Sequence, residues 1–94
     1  MRLRFYIDED TELPHIYAHN ISEQEVRDVL RSPLEQIKGR GDSLIALGRT
    51  VAGRYLKVIF SPDEVGDGIF VITAFEPTDN EVRALRRRLR RRKR

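Results

Sequence analysis

The chain contains no cysteine. Disulfide staples, thiolate metal sites and a cysteine nucleophile are therefore excluded, and the fold has to hold by packing alone. That suits a reducing cytosol. Long apolar runs are missing as well. The longest, residues 69–75, falls far short of the roughly 20 residues that span a bilayer. The opening MRLRFYIDEDTE turns acidic after seven residues and holds no signal-peptide apolar segment. These absences point to a cytoplasmic protein with no membrane contact. Signatures of nucleotide and ester chemistry are lacking too. No glycine-rich loop leads into a lysine, and no nucleophile elbow occurs. Gly39-Arg40-Gly41 reads as a turn rather than a dinucleotide fingerprint. No cofactor is expected.

What is present is charge, unevenly divided. Residues 86–94 (RRRLRRRKR) hold eight of the 18 basic side chains and no acidic one. The other 85 residues carry ten basic and 15 acidic side chains, a balance of −5. A chain of 94 residues has room for one modest core. The expected organisation is a single α+β domain over residues 1–85, with a basic extension of the last helix over residues 86–94. Seven of those nine residues are arginine, whose fork matches phosphate geometry. Charge at that density exceeds what solubility needs. Arg86, Arg87, Arg88, Arg90, Arg91, Arg92, Lys93 and Arg94 are the candidate nucleic-acid-binding residues, with RNA or another polyanion as partner. The bland reading of such a run is a solvated end.

Periodicity supplies the elements. Residues 2–7 alternate, with Leu3, Phe5 and Ile7 on one face, as a half-buried strand does. Residues 14–20 fit either a helical turn or an extended approach. Ser22 and Glu25 form a capping box, Ile21 and Val26 a hydrophobic staple, and Pro33 stops the helix that they begin. Residues 34–38 are a weak strand. Residues 43–50 and 54–60 should form a hairpin across Val51-Ala52-Gly53. Residues 61–68 read as a loop, and residues 69–75 as a central strand apolar on both faces. Thr78 and Glu81 open a second helix with Val82, Leu85 and Leu89 on one side. From Arg86 onward like charges sit three and four apart, so that end should fray unless an anion neutralises it. The sum is an α+β fold with an antiparallel sheet of four to five strands and two main helices.

Two constellations bear on chemistry. His15 and His19 have the spacing of a metal pair, but no third ligand accompanies them at a suggestive spacing; Asp8 and Asp10 are the acids that could come near, and a surface or capping pair is the simpler reading. No metal site is assigned. Arg49, Arg54 and Lys57 gather on one hairpin, with Tyr17, Tyr55 and His19 near them in sequence or in space as a His or Tyr that can exchange protons. Such a set suits metal-independent RNA cleavage, in which the substrate's own 2′-hydroxyl attacks and the protein assists proton transfer and stabilises phosphorane charge. The alternative is a set of arginines simply solvated around a tight connection.

These residues also carry a resemblance. His19-Asn20-Ile21-Ser22 followed by Glu25-Val26 resembles the KHGVSFEEA-type helix start of BrnT toxins. Phe5-Tyr6-Ile7-Asp8 is similar to their opening F-x-W/F-D. The stretch from Ile45 to Thr50, followed by Gly53 to Phe60, resembles their hairpin, and Phe70-Val71-Ile72-Thr73-Ala74 their last strand. The resemblance implies a RelE-like β-α-β-β-β-β-α fold, RNA cleavage and neutralisation by an antitoxin protein. By position it makes Arg49 and Arg54 the basic pair of the hairpin and His19 the histidine before the first helix. Lys57 would support binding. The chain departs from the pattern at Phe70 and Phe75, where the toxins have arginine, and at Ala18, where they have lysine.

The leading expectation is a toxin-like RNA-targeting protein, as a metal-independent endoribonuclease using His19, Arg49 and Arg54. Beside it stand a non-catalytic nucleic-acid-binding or ribosome-associated module of the same fold, and a partner-binding module with an electrostatic tail. In that last case the tail could dock on the chain's own acidic residues 8–12. A homo-oligomer stays open.

Overall fold

The computed structural model describes residues 1–92. Lys93 and Arg94, both expected to bind nucleic acid, lie outside the described residues. The first helix, α1 (Glu23–Arg31), starts at a complete capping box. The Glu25 N–H donates to Ser22 Oγ at 3.1 Å, and the Ser22 N–H donates to Glu25 Oε1 at 3.0 Å. The box satisfies two of the donors that a helix start leaves without an intrahelical partner. The same signal works for α2 (Asp79–Arg92). There the Glu81 N–H donates to Thr78 Oγ1 at 3.2 Å, and the Thr78 N–H donates to Glu81 Oε1 at 3.0 Å.

Five strands form one sheet: β1 (Leu3–Phe5), β2 (Glu35–Lys38), β3 (Leu44–Arg49), β4 (Tyr55–Pro62) and β5 (Ile69–Phe75), in the spatial order β1-β5-β4-β3-β2. The element order is the expected β-α-β-β-β-β-α, and the RelE-like α+β class holds. The sheet is mixed rather than wholly antiparallel. Strands β2 to β5 run antiparallel, each to the next, and β1 pairs parallel with β5. The reason is connectivity: α1 carries the chain from β1 to the far edge, and the meander brings β5 back beside β1. Strand β5 lies inside the sheet, but β4 is the middle strand. Strand β4 also runs on to Pro62, into what reads as loop from the sequence.

Residues 14–20 resolve as a 3-10 segment, His15–His19, closed by Asn20 in the left-handed region at φ 59°. Ile7 forms a bridge to Pro14 and is exposed, so the first strand's buried face ends at Phe5. One face of the sheet carries the core. Val26 and Val29 of α1, with Ile16 and Ile21, pack on Ala46, Leu56, Val58 and Ala74. Each of the valine, isoleucine and leucine side chains contributes about 1.5–3 kcal/mol when fully buried. Gly48 lets α1 come this close, since a Cβ there would stand 3.0 Å from Val29 Cγ1.

The other face carries α2. Glu35, Leu47, Lys57 and Phe75 are cross-strand partners in succession, one row over four strands. Directly paired residues share a face. Glu81 binds Lys57, while Arg88 and Arg92 bind Glu35, so α2 crosses the strands along this row with Leu85 buried beneath it.

Candidate nucleic-acid interface

Helix α2 has an inward and an outward side, and its arginines divide between them. Leu85, Arg88 and Arg92 recur at helical spacing on the inward side. Arg88 Nε and Nη2 each donate to Glu35 at 2.7 Å, and Arg92 Nη2 donates to the same carboxylate at 2.8 Å. The Glu35 side chain is 6% exposed. Arg88 first, and Arg92 after it, hold its carboxyl below the usual range against the opposing effect of burial. This is the anion that the charge run requires, and it explains why α2 stays helical through Arg92 instead of fraying at Arg86. The tail does dock on the chain's own acid, but at Glu35. No tail ion pair reaches residues 8–12 among the described residues.

The outward side is exposed: Arg83, Arg86, Arg87, Arg90 and Arg91. None of the five forms an ion pair among the described residues. Arg86 joins them to the β3–β4 hairpin. Its Nε donates to Tyr55 Oη at 3.3 Å, and its Cζ lies 5.7 Å from the Tyr55 ring centre. Arg49 bears on the same ring at 4.8 Å. Arg49 also donates from Nε and Nη2 to the Gly53 carbonyl, at 3.2 and 3.1 Å, across a turn that Gly53 makes at φ 95°. The Arg49 guanidinium is thus held in place, and no carboxylate among the described residues pairs with it. An open depression of about 390 Å³ lies beside this stack, lined by Arg54, Tyr55, Glu76, Asp79, Arg83 and Arg86.

The remaining site residues predicted from sequence meet at the C-terminal end of β5, around Phe75. The His19 ring lies 6.2 Å from the Phe75 ring, and Lys57 Nζ lies 5.6 Å from it. Arg54 is next door. Its Nη1 donates to the Asn20 carbonyl at 2.8 Å and to both oxygens of Glu25 at 3.1 Å, and its Nη2 is 3.5 Å from Glu76 Oε1. Arg54 therefore ties the start of β4 to the start of α1. Glu25 is held below the usual carboxylate range, first by the Ser22 N–H and then by Arg54. Lys57 Nζ donates to Glu81 Oε2 at 2.8 Å, which lowers the Glu81 carboxyl likewise. So His19, Arg54 and Lys57 come together at one corner, and Arg49 stands apart on the Tyr55 stack.

His15 and His19 approach each other, Nε2 to Nε2, at 3.3 Å, and His15 Nδ1 lies 2.9 Å from Asp8 Oδ1. Among the described residues no group of three or more His, Asp or Glu side chains converges as a metal site would need. No helix among them is long and apolar enough to cross a membrane.

Sequence reading misses Glu35, Arg83 and the Tyr55 stack. Arg88 and Arg92, four apart, match one carboxylate, but nothing in the sequence says which of 15 it is. Arg83 lies outside the dense run although it shares its helix face.

Residues 15–76 match the model of a domain of unknown function, DUF4258. The chain belongs to that family. The match takes in the 3-10 segment, α1 and strands β2 to β5, so both histidines, the hairpin and Glu35 fall inside it, and α2 falls outside. No curated protein and no solved structure matches the chain.

Proposed function

We propose that this member of the DUF4258 family is a toxin-like RNA-targeting protein, and that it cleaves RNA without a metal ion. The observation that carries the reading is the division of the arginines. Two are paired with Glu35, while Arg83, Arg86, Arg87, Arg90 and Arg91 form an outward stripe that continues through Tyr55 to Arg49. Phosphates lie along that stripe, and affinity comes from releasing their counterions. The RelE-like order of elements and the resemblance to BrnT toxins support cleavage at the adjoining corner. There His19 exchanges the proton and Arg54 and Lys57 frame the site, while Arg49, apart on the Tyr55 stack, clamps a neighbouring phosphate of the same strand. The same resemblance supports an antitoxin protein as partner.

A second reading is a binding module without catalysis. It is favoured by Arg54 and Lys57, each of which already holds a carboxylate. One experiment separates the two. Purified protein is incubated with total RNA in EDTA, wild type beside His19→Gln and Arg49→Ala. Discrete cleavage lost in both variants supports the enzyme. Retention on RNA with no cleavage by wild type supports the module.

A further inference from the structure

The opening loop brings an acid to a histidine. The His15 N–H donates to the Tyr6 carbonyl at 2.9 Å, and the Asp8 N–H donates to the Leu13 carbonyl at 2.9 Å. The Glu12 N–H closes the turn on the Asp8 carbonyl at 2.8 Å, with Glu12 itself at φ 59°. This backbone frame sets Asp8 Oδ1 2.9 Å from His15 Nδ1. The Tyr6 and His15 rings meet in a T-shaped arrangement, with centroids 6.1 Å apart. His19, four residues on, then lies with Nε2 3.3 Å from His15 Nε2.

Hydrogen-bond roles follow from the chemistry of each group. An ionised carboxylate only accepts, so His15 donates from Nδ1. Neutral imidazole has one donor and one acceptor nitrogen, which leaves His15 Nε2 as acceptor. His19 must then donate from Nε2, and its lone pair falls on Nδ1. His19 is exposed, and its Nδ1 has no partner among the described residues.

We propose that Asp8 and His15 are positioning residues that fix the tautomer of His19 and present its Nδ1 as the base for RNA cleavage. This rests on the nuclease reading above. In the step, the 2′-oxygen forms a bond to the adjacent phosphorus and its proton passes to His19 Nδ1. The bond from phosphorus to the 5′-oxygen breaks, and that oxygen leaves with the electron pair and takes a proton from water. His19 returns its proton to the resulting hydroxide. The products are a 2′,3′-cyclic phosphate and a 5′-hydroxyl. While His19 is protonated, its Nε2–H stays donated to His15, which the half-buried Asp8 carboxylate holds in the accepting tautomer. The other charged groups at this corner are Lys57 over Phe75, Arg54 on the Asn20 carbonyl, and Glu76.

The test uses the full chain and total RNA in EDTA, with wild type, Asp8→Asn, Asp8→Glu, His15→Gln and His19→Gln. Ring nitrogen shifts measured by NMR at neutral pH report the tautomers independently of cleavage. His15 should be protonated on Nδ1 in wild type and should lose that preference in Asp8→Asn. Cleavage should fall at least about 100-fold in His19→Gln. Asp8→Asn should lower kcat with KM unchanged, because the tautomer that presents Nδ1 of His19 is no longer fixed. Asp8→Glu should restore part of the rate. No cleavage by wild type overturns the nuclease reading and this proposal together. Cleavage with kcat unchanged in Asp8→Asn, or a wild-type His15 protonated on Nε2, overturns this proposal alone.

Discussion

Arg88 closes on Glu35 as a two-pronged pair, both bonds 2.7 Å, across 53 residues of chain. The acid lies in the second strand, and the arginine lies in what reads from sequence as a repelling basic end. One buried carboxylate converts part of the charge run into structure and leaves the rest for a partner.

Removing that carboxylate should therefore do two opposite things. Glu35→Gln should destabilise the fold by about 1–3 kcal/mol, the range for losing hydrogen bonds to a charged group. It should also raise amide exchange in residues 86–92. At the same time it releases two cations, so RNA affinity at low salt should rise. Chemical denaturation, hydrogen exchange and a binding titration check the three effects. The folded Glu35 carboxyl titrates below its unfolded value, so its stabilisation is present above the unfolded value and fades as pH falls through the folded one.

Arg4 and Asp63 form a second acid-sensitive clamp. Arg4 Nε and Nη2 donate to the carboxylate at 2.6 and 2.7 Å, and the Val65 N–H donates at 3.0 Å. Arg4 first, then Val65, lower the Asp63 carboxyl from 3.8 to about 2. A depressed folded value means stabilisation in full above 3.8 that is lost as pH falls through about 2. Thermal melts of Asp63→Asn across that window should show a flatter acid limb than wild type. Parallel limbs would sink the assignment.

Arg49 and Arg54 stand five residues apart and should behave differently. Arg54→Ala removes bonds to Glu25 and Asn20 and should cost about 1–3 kcal/mol of stability. Arg49→Ala removes a cation–π contact of about 0.5–1 kcal/mol, two exposed hydrogen bonds to the Gly53 carbonyl and one unneutralised charge. It should weaken RNA binding while lowering the melting temperature less than Arg54→Ala does. Equal loss of stability in both would show that Arg49 is structural too.

Gly48→Ala tests the approach of α1 to the sheet. The added methyl would stand 3.0 Å from Val29 Cγ1, and overpacking of this kind costs about 1–3 kcal/mol. Denaturation midpoints measure it, and a Val29→Ala change in the same chain should relieve part of the clash.

The features legible in the sequence were those written over three or four residues. Ser22 with Glu25, and Thr78 with Glu81, place both helix starts because a capping box is local chemistry. The meander from β2 to β5 follows from alternation and short connections. The parallel pairing of β1 with β5 was not legible, because it joins residues over 60 apart whose alternation suits either direction. Residues 14–20 stayed open because a single 3-10 turn leaves no apolar period. The site was half legible. His19, Arg54 and Lys57 do share a corner, but the carboxylates that occupy Arg54 and Lys57 come from α1, α2 and the end of β5. No spacing rule reaches that far.

The central claim is that the outward arginines of α2 carry the contact with nucleic acid. The most direct test is the salt dependence of single-stranded RNA binding for wild type and for Arg87→Gln/Arg90→Gln/Arg91→Gln. Each lost phosphate contact flattens the log–log slope by about 0.7, so the triple variant should be shallower by about 2. Helicity should be unchanged, since none of the three pairs with Glu35. An unchanged slope with weakened or equal binding would contradict the account.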